Sequence, residues 1–159
     1  AGDFHNKSQE TKITKETKVA ILNRKNIDAK IGFRLLTQIG IATNGLFSLK
    51  VIEQYHYNRH FSTGLGIGLD LSSDGGGIPI FLDNRYYLTK RKSTPFVYNS
   101  IGHAPISNES GGVGIFKIGL GYRRNYKPNK AWTIDIAYQY ADYNMQPPDG
   151  AALTFGILF

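Results

Sequence analysis

From residue 30 to residue 159 the chain alternates large apolar side chains with small, polar or charged ones, in long runs broken by clusters of turn-forming residues. A period of two is the mark of a strand with two unlike faces. The clearest run is 61–72, where Phe61, Thr63, Leu65, Ile67, Leu69 and Leu71 alternate with Ser62, Gly64, Gly66, Gly68, Asp70 and Ser72. The last run, 151–159, puts Leu153, Phe155, Ile157 and Phe159 on one face. Strands of soluble sheets average about 5 or 6 residues. A tilted strand that crosses a bilayer needs about 9 to 11, and these runs meet that length.

Eight strands are predicted, over 30–43, 46–57, 61–72, 78–89, 95–104, 112–124, 131–143 and 151–159. Short connections make sequence neighbours antiparallel partners. An even count lets the meander close, and closure removes the unpaired edge that hydrocarbon cannot satisfy. The fold class is therefore all-β, an eight-stranded antiparallel up-and-down transmembrane β-barrel over 30–159. Residues 1–29 are polar and mixed in charge and read as an N-terminal extension. The opening Ala1 Gly2 Asp3 Phe4 lacks a basic start followed by an apolar stretch, as expected of a mature or trimmed chain. Asn44 and Gly45 are expected to form a tight left-handed hairpin turn. Glu53 interrupts an apolar row, through a bulge, a register shift or a position near one rim. The 95–104 strand has no obvious apolar face.

Composition narrows the field. The chain has no Cys, hence no disulfide, thiolate metal site or Cys nucleophile. No window reaches the roughly 18 apolar residues of a spanning helix. The mean hydropathy of -0.29 suits a barrel whose strands each turn one polar face inward. The formal charge of +7 is spread singly through strands and turns. With no basic helix and no stacked aromatic platform, no nucleic-acid partner is expected.

Facing assigns roles. Arg34, Lys50, Asp70, Asp83, Arg85, Lys117, Arg123 and Asp135 are predicted to share the lumen, where ionised groups must pair. An eight-stranded barrel has an interior that side chains fill, which favours a plug over a narrow solute path. Aromatic rings collect at the ends of the strands, as interfacial girdles require. The anchors are Tyr55, Tyr57, Tyr86, Tyr122, Trp132, Tyr140 and Phe159, with Tyr87, Phe96, Tyr98, Phe47 and Tyr143 also placed near the rims.

Three stretches carry a resemblance: FSTGLGIGLDL at 61–71, IPIFLDNRYYLTKRKSTPFVYNSIGHAP at 78–105 and LTFGILF at 153–159. Residues 30–159 resemble the OmpA/OmpX-type small outer-membrane barrels, and more closely the outer membrane protein β-barrel domain of Bacteroidetes-like bacteria. The resemblance implies the outer membrane of a Gram-negative bacterium and insertion by the barrel-assembly machinery. It also implies no established activity; the expected contacts are outer-membrane lipid and lipopolysaccharide, with a monomeric chain and no cofactor. In that family Leu153, Phe155, Ile157 and Phe159 would form the assembly signal.

The chain is read as a structural or surface-interaction barrel, not an enzyme, with loops at 73–77, 105–111 and 144–150. The enzymatic alternative places His103, Ser107 and Glu109 near one rim, similar to the triad of lipid A deacylases, because a His can activate a Ser hydroxyl. The spacing departs from that family, whose Ser and Asn follow the His by two and three residues. His5, His56 and His60 lack metal-ligand spacing, so no metal is expected. Gly75, Gly76 and Gly77 precede no helix and read as a loop, not a phosphate cradle. A soluble lipocalin-like carrier would reverse the facing, with polar side chains outside and apolar ones within.

Overall fold

The computed structural model describes residues 31–73, 75–105, 112–141 and 150–159. They form nine strands: β1 (Gly32–Ala42), β2 (Phe47–His56), β3 (Phe61–Ser72), β4 (Gly75–Gly77), β5 (Ile80–Tyr87), β6 (Ser93–Pro105), β7 (Gly112–Lys127), β8 (Lys130–Ala141) and β9 (Gly150–Leu158). β4 and β5 are one stave. Both pair with β3 in the same register, Asp70 opposite Gly77 and Ile67 opposite Ile80. Pro79 stands between them and has no N–H to give the ladder, although its carbonyl still accepts the Gly68 N–H at 2.9 Å. Eight antiparallel staves result, and the β1–β9 and β2–β3 pairings close them into a barrel.

The registers fix the geometry of closure. A line of paired residues that leaves Gly32 passes through His56, Ser62, Arg85, Tyr98, Gly119, Ala137 and Ala152 and returns to β1 at Ala42, ten residues along. With normal strand spacings, that stagger tilts eight staves by about 40° and gives a backbone radius of about 8 Å. Such a tube has room for side chains and little else.

Connections differ between the two ends. At one end the staves are joined by 57–60, 88–92 and 128–129, and at the other by 43–46, 73–74, 106–111 and 142–149. These are called the turn end and the loop end below. Only Gly45 takes the left-handed conformation at 43–46, with φ 78°. Asn44 does not share it, and its side-chain oxygen instead accepts the Leu46 N–H at 3.2 Å. The hairpin therefore closes through three residues with the glycine last, because Ala42 and Leu46 still pair by a 2.9 Å backbone bond.

Sidedness is strict. Leu65, Leu120, Ile136, Ile118 and Ile101 stand outward, 56–68% exposed, while their neighbours in sequence point inward. Glu53 lies in the outward row of β2, opposite Leu35 and Leu65, in an unbroken register on both sides. Neither a bulge nor a register shift is present there. It is a carboxylate on the apolar exterior, one outward position from Tyr55. The β6 strand also resolves: Thr94, Phe96, Tyr98, Ser100 and Ala104 face in, and Pro95, Val97, Asn99, Ile101 and His103 face out.

Two expectations are corrected here. Tyr87, Phe96 and Tyr98 are not girdle residues, since they are buried in the lumen at 2%, 1% and 7% exposure. Gly75–Gly77, expected as a loop, instead form strand β4 paired with β3. Within the lumen Leu36, Ile52, Phe81, Ala131 and Leu158 form an apolar cluster. Inward glycines explain how rings fit a narrow tube. A Cβ on Gly121 would fall 2.3 Å from the Phe96 ring, one on Gly119 2.5 Å from the Tyr98 ring, and one on Gly66 2.4 Å from the Phe81 ring. Each glycine is the cross-strand partner of the ring it admits. The glycines of β3 and β7 are sockets for the aromatics of β5 and β6.

Candidate functional site

Among the described residues the buried charged groups lie in the lumen, whose central layer is built around two carboxylates. Asp83, from β5, accepts hydrogen bonds from Arg85 Nε at 2.7 Å, Gln54 Nε2 at 2.9 Å and Ser100 Oγ at 3.0 Å. Asp135, from β8, accepts from Tyr98 Oη at 2.7 Å and Gln38 Nε2 at 3.1 Å. Arg85 links the two by donating Nη2 to Asp83 Oδ2 and to Gln38 Oε1, each at 3.3 Å. Its guanidinium also lies 5.2 Å from the ring centres of both Phe96 and Tyr98. Side chains from β1, β2, β5, β6 and β8 thus meet across the barrel axis in one network. Burial makes each of these bonds worth more than a surface pair, and makes leaving a partner unpaired costly.

Toward the turn end the lumen carries Arg34, Arg123 and His56 around Tyr87. The Arg123 guanidinium lies 5.0 Å from the Tyr87 ring centre and donates Nε to Asn125 Oδ1 at 3.0 Å. His56 stacks on the same ring at 5.9 Å. Toward the loop end lie Lys50, Lys117 and Asp70, all at most 8% exposed. Lys50 Nζ sits 5.8 Å from the Phe81 ring centre. All eight residues assigned to the lumen from sequence are buried there. The groups that knit them together, Gln38, Gln54, Tyr98 and Ser100, lie at ordinary alternate positions. Only the fold shows which of them meet.

The exterior shows the second pattern. Phe33, Tyr55, Tyr57 and Phe61 form a chain of ring contacts with centroids 4.9–5.6 Å apart around the turn end. Tyr122 meets Trp132 at 5.9 Å and Lys130 Nζ lies 5.5 Å from the Phe159 ring centre. Tyr86 belongs to the same belt and stacks on His60. Tyr140 is outward toward the loop end, as are Phe47 and Phe116. Leu153, Phe155, Ile157 and Phe159 are all outward. Amphipathic rings at both ends of an apolar wall match the two interfaces of a bilayer.

The His103 side chain stands on the outer wall, between the cross-strand partners Ile80 and Gly114, and not in the lumen. Ser107, Glu109 and Tyr143 lie outside the described residues, as do 1–30. Among the described residues no group of three or more His, Asp or Glu is placed to hold a metal ion, and no helix is long and apolar enough to cross a membrane.

A closed tube of eight antiparallel staves with an apolar wall, aromatic belts and an ionic lumen defines the class of small transmembrane β-barrels. Solved structures share that fold at low identity. The N-terminal β-barrel domain of Pseudomonas aeruginosa OprF matches with a TM-score of 0.60 and 17% identity, over 80% of this chain and 96% of that one. A de novo designed transmembrane β-barrel matches at 0.57 and 14%, over 83% and 98%. Neisserial surface protein A matches at 0.57 and 12%, over 79% and 92%. No protein-family model and no curated protein matches the chain.

Proposed function

We propose that this chain is an integral outer-membrane barrel of a Gram-negative bacterium, with a structural or surface-interaction role and a lumen plugged by its own side chains. The observation that carries the reading is the opposition of the two faces. Most outward positions from Leu35 to Phe159 are apolar or aromatic, and the buried charged residues share the interior. In a soluble fold that exterior would be a large unpaired apolar surface. The Arg85 network supports a plug because it joins opposite walls of a narrow tube. Outer-membrane lipid and lipopolysaccharide would then be the natural contacts of the wall, and the connections at 106–111 and 142–149 the natural contacts with other surfaces.

The test has two arms. Fractionation of cells that express the chain should place it in the outer membrane in a heat-modifiable, detergent-extracted form. Reconstitution into planar bilayers should then give no stepwise conductance. A protein recovered from plain buffer as a stable soluble species would refute the membrane assignment, and steady ion conductance would refute the plug.

A further inference from the structure

We infer, resting on the membrane assignment above, that the turn-end rim between β5 and β8 is a docking surface for the phosphate headgroups of anionic phospholipid. Two segments form it. The β5–β6 connection carries Lys90, Arg91 and Lys92, and the β7–β8 hairpin carries Arg124, Lys127 and Lys130. The fold sets them side by side: Ser93 pairs with Arg124, and the Asn125 N–H donates to the Lys92 carbonyl at 2.9 Å. All six bases are exposed and neither segment contains an acid. Among the described residues none of the six is in an ion pair. Like charges held this close repel, and an array of anions outside the barrel relieves that repulsion.

The aromatic belt fixes the depth of these charges. Arg124 is the cross-strand partner of Trp132, whose ring lies 5.9 Å from that of Tyr122. Lys130 Nζ lies 5.5 Å from the Phe159 ring centre. Such rings settle at the headgroup level of a bilayer, so bases interleaved with them stand level with the lipid phosphates. An arginine there can offer a phosphate two parallel N–H donors, and a lysine adds a mobile point charge. Charge segregation selects the leaflet. Every Lys and Arg of 31–159 that is not buried in the lumen stands at the turn end, Arg59 being the one outside the two segments. In sequence the loop-end connections carry Asp74, Glu109, Asp142 and Asp149 and no base. Among the described residues Glu53 is the only acid on the outer wall, and it lies on β2, across the barrel from β7. Short connections of outer-membrane barrels face the periplasm, where the leaflet is phospholipid and not lipopolysaccharide.

Trp132, the single tryptophan, lies within this surface and reports on it. The full chain is refolded into mixed vesicles of phosphatidylcholine and phosphatidylglycerol. In one set the phosphatidylglycerol carries brominated acyl chains, which quench indole; in the other an equal mole fraction of the phosphatidylcholine does. Brominated phosphatidylglycerol should quench as though enriched about fivefold or more around Trp132, the gain for even one base at an anionic surface. About 0.5 M NaCl should remove most of that enrichment by screening. Replacing Lys90, Arg91, Lys92 and Arg124 together by Gln should abolish it, and Lys127→Gln with Lys130→Gln serves if the fourfold variant does not fold. Arg59→Gln, on the β2–β3 connection at the opposite side of the rim, should keep it. Equal quenching by the two lipids, or an enrichment that survives loss of the bases, overturns the headgroup site and leaves the membrane assignment standing. No quenching by either lipid puts Trp132 outside the bilayer and overturns both.

Discussion

Replacing Arg85 by methionine should destabilise the barrel by about 3–5 kcal/mol, and adding Asp83→Asn should restore most of that loss. Arg85 is 1% exposed and donates three hydrogen bonds, two to Asp83 and one to Gln38. Removing one member of a buried pair costs about 3–5 kcal/mol because the remaining charge stays uncompensated. Here Asp83 keeps the Gln54 and Ser100 donors, so the loss should lie toward the lower end, about a hundredfold in the folding equilibrium. The double variant removes the stranded charge, and a neutral pair of similar volume is commonly about as stable as the ionic one. Equilibrium unfolding in urea, with the barrel in phospholipid vesicles and followed by fluorescence of the single Trp132, measures all three free energies. Equal losses for Arg85→Met and Arg85→Met/Asp83→Asn, or a loss below about 1 kcal/mol for the single change, would show that charge pairing does not hold the plug.

Other consequences can be checked in the same assay. Gly121→Val should cost about 1–3 kcal/mol, since its Cβ would enter the Phe96 ring. Phe96→Ala in the same chain should relieve part of that cost, and additive losses would contradict the socket. Glu53→Leu should stabilise the barrel in a bilayer by about 1 kcal/mol because it removes a carboxylate from the apolar wall; a loss of stability would mean that Glu53 meets something other than lipid. Spin labels at Leu65, Leu120 and Ile136 should collide with oxygen in preference to a water-soluble relaxant, and the reverse preference would invert the assigned faces.

Period-two patterning determined most of the architecture before any coordinates. Runs such as 61–72 and 151–159 are long, have one apolar face and follow one another through short connections, and closure in lipid is then the way to satisfy their backbone groups. The same alternation assigned Arg34, Lys50, Asp70, Asp83, Arg85, Lys117, Arg123 and Asp135 to one side of the sheet, because a side chain's face depends on parity alone. Parity did not help where both faces of a strand mix rings with polar groups. In β6, Phe96 and Tyr98 turn inward because Gly121 and Gly119 leave room opposite them, while Asn99 turns outward into a hydrogen-bonded row with Asn84 and Thr63. Glu53 likewise reads as a defect in one dimension and proves an unperturbed outward residue once β1 and β3 are beside it. Which charges meet was decided only by tertiary structure. Gln38 and Asp135 lie 97 residues apart in sequence yet touch, since contacts across a lumen depend on the stagger and curvature of the closed sheet, which alternation along a single strand does not encode.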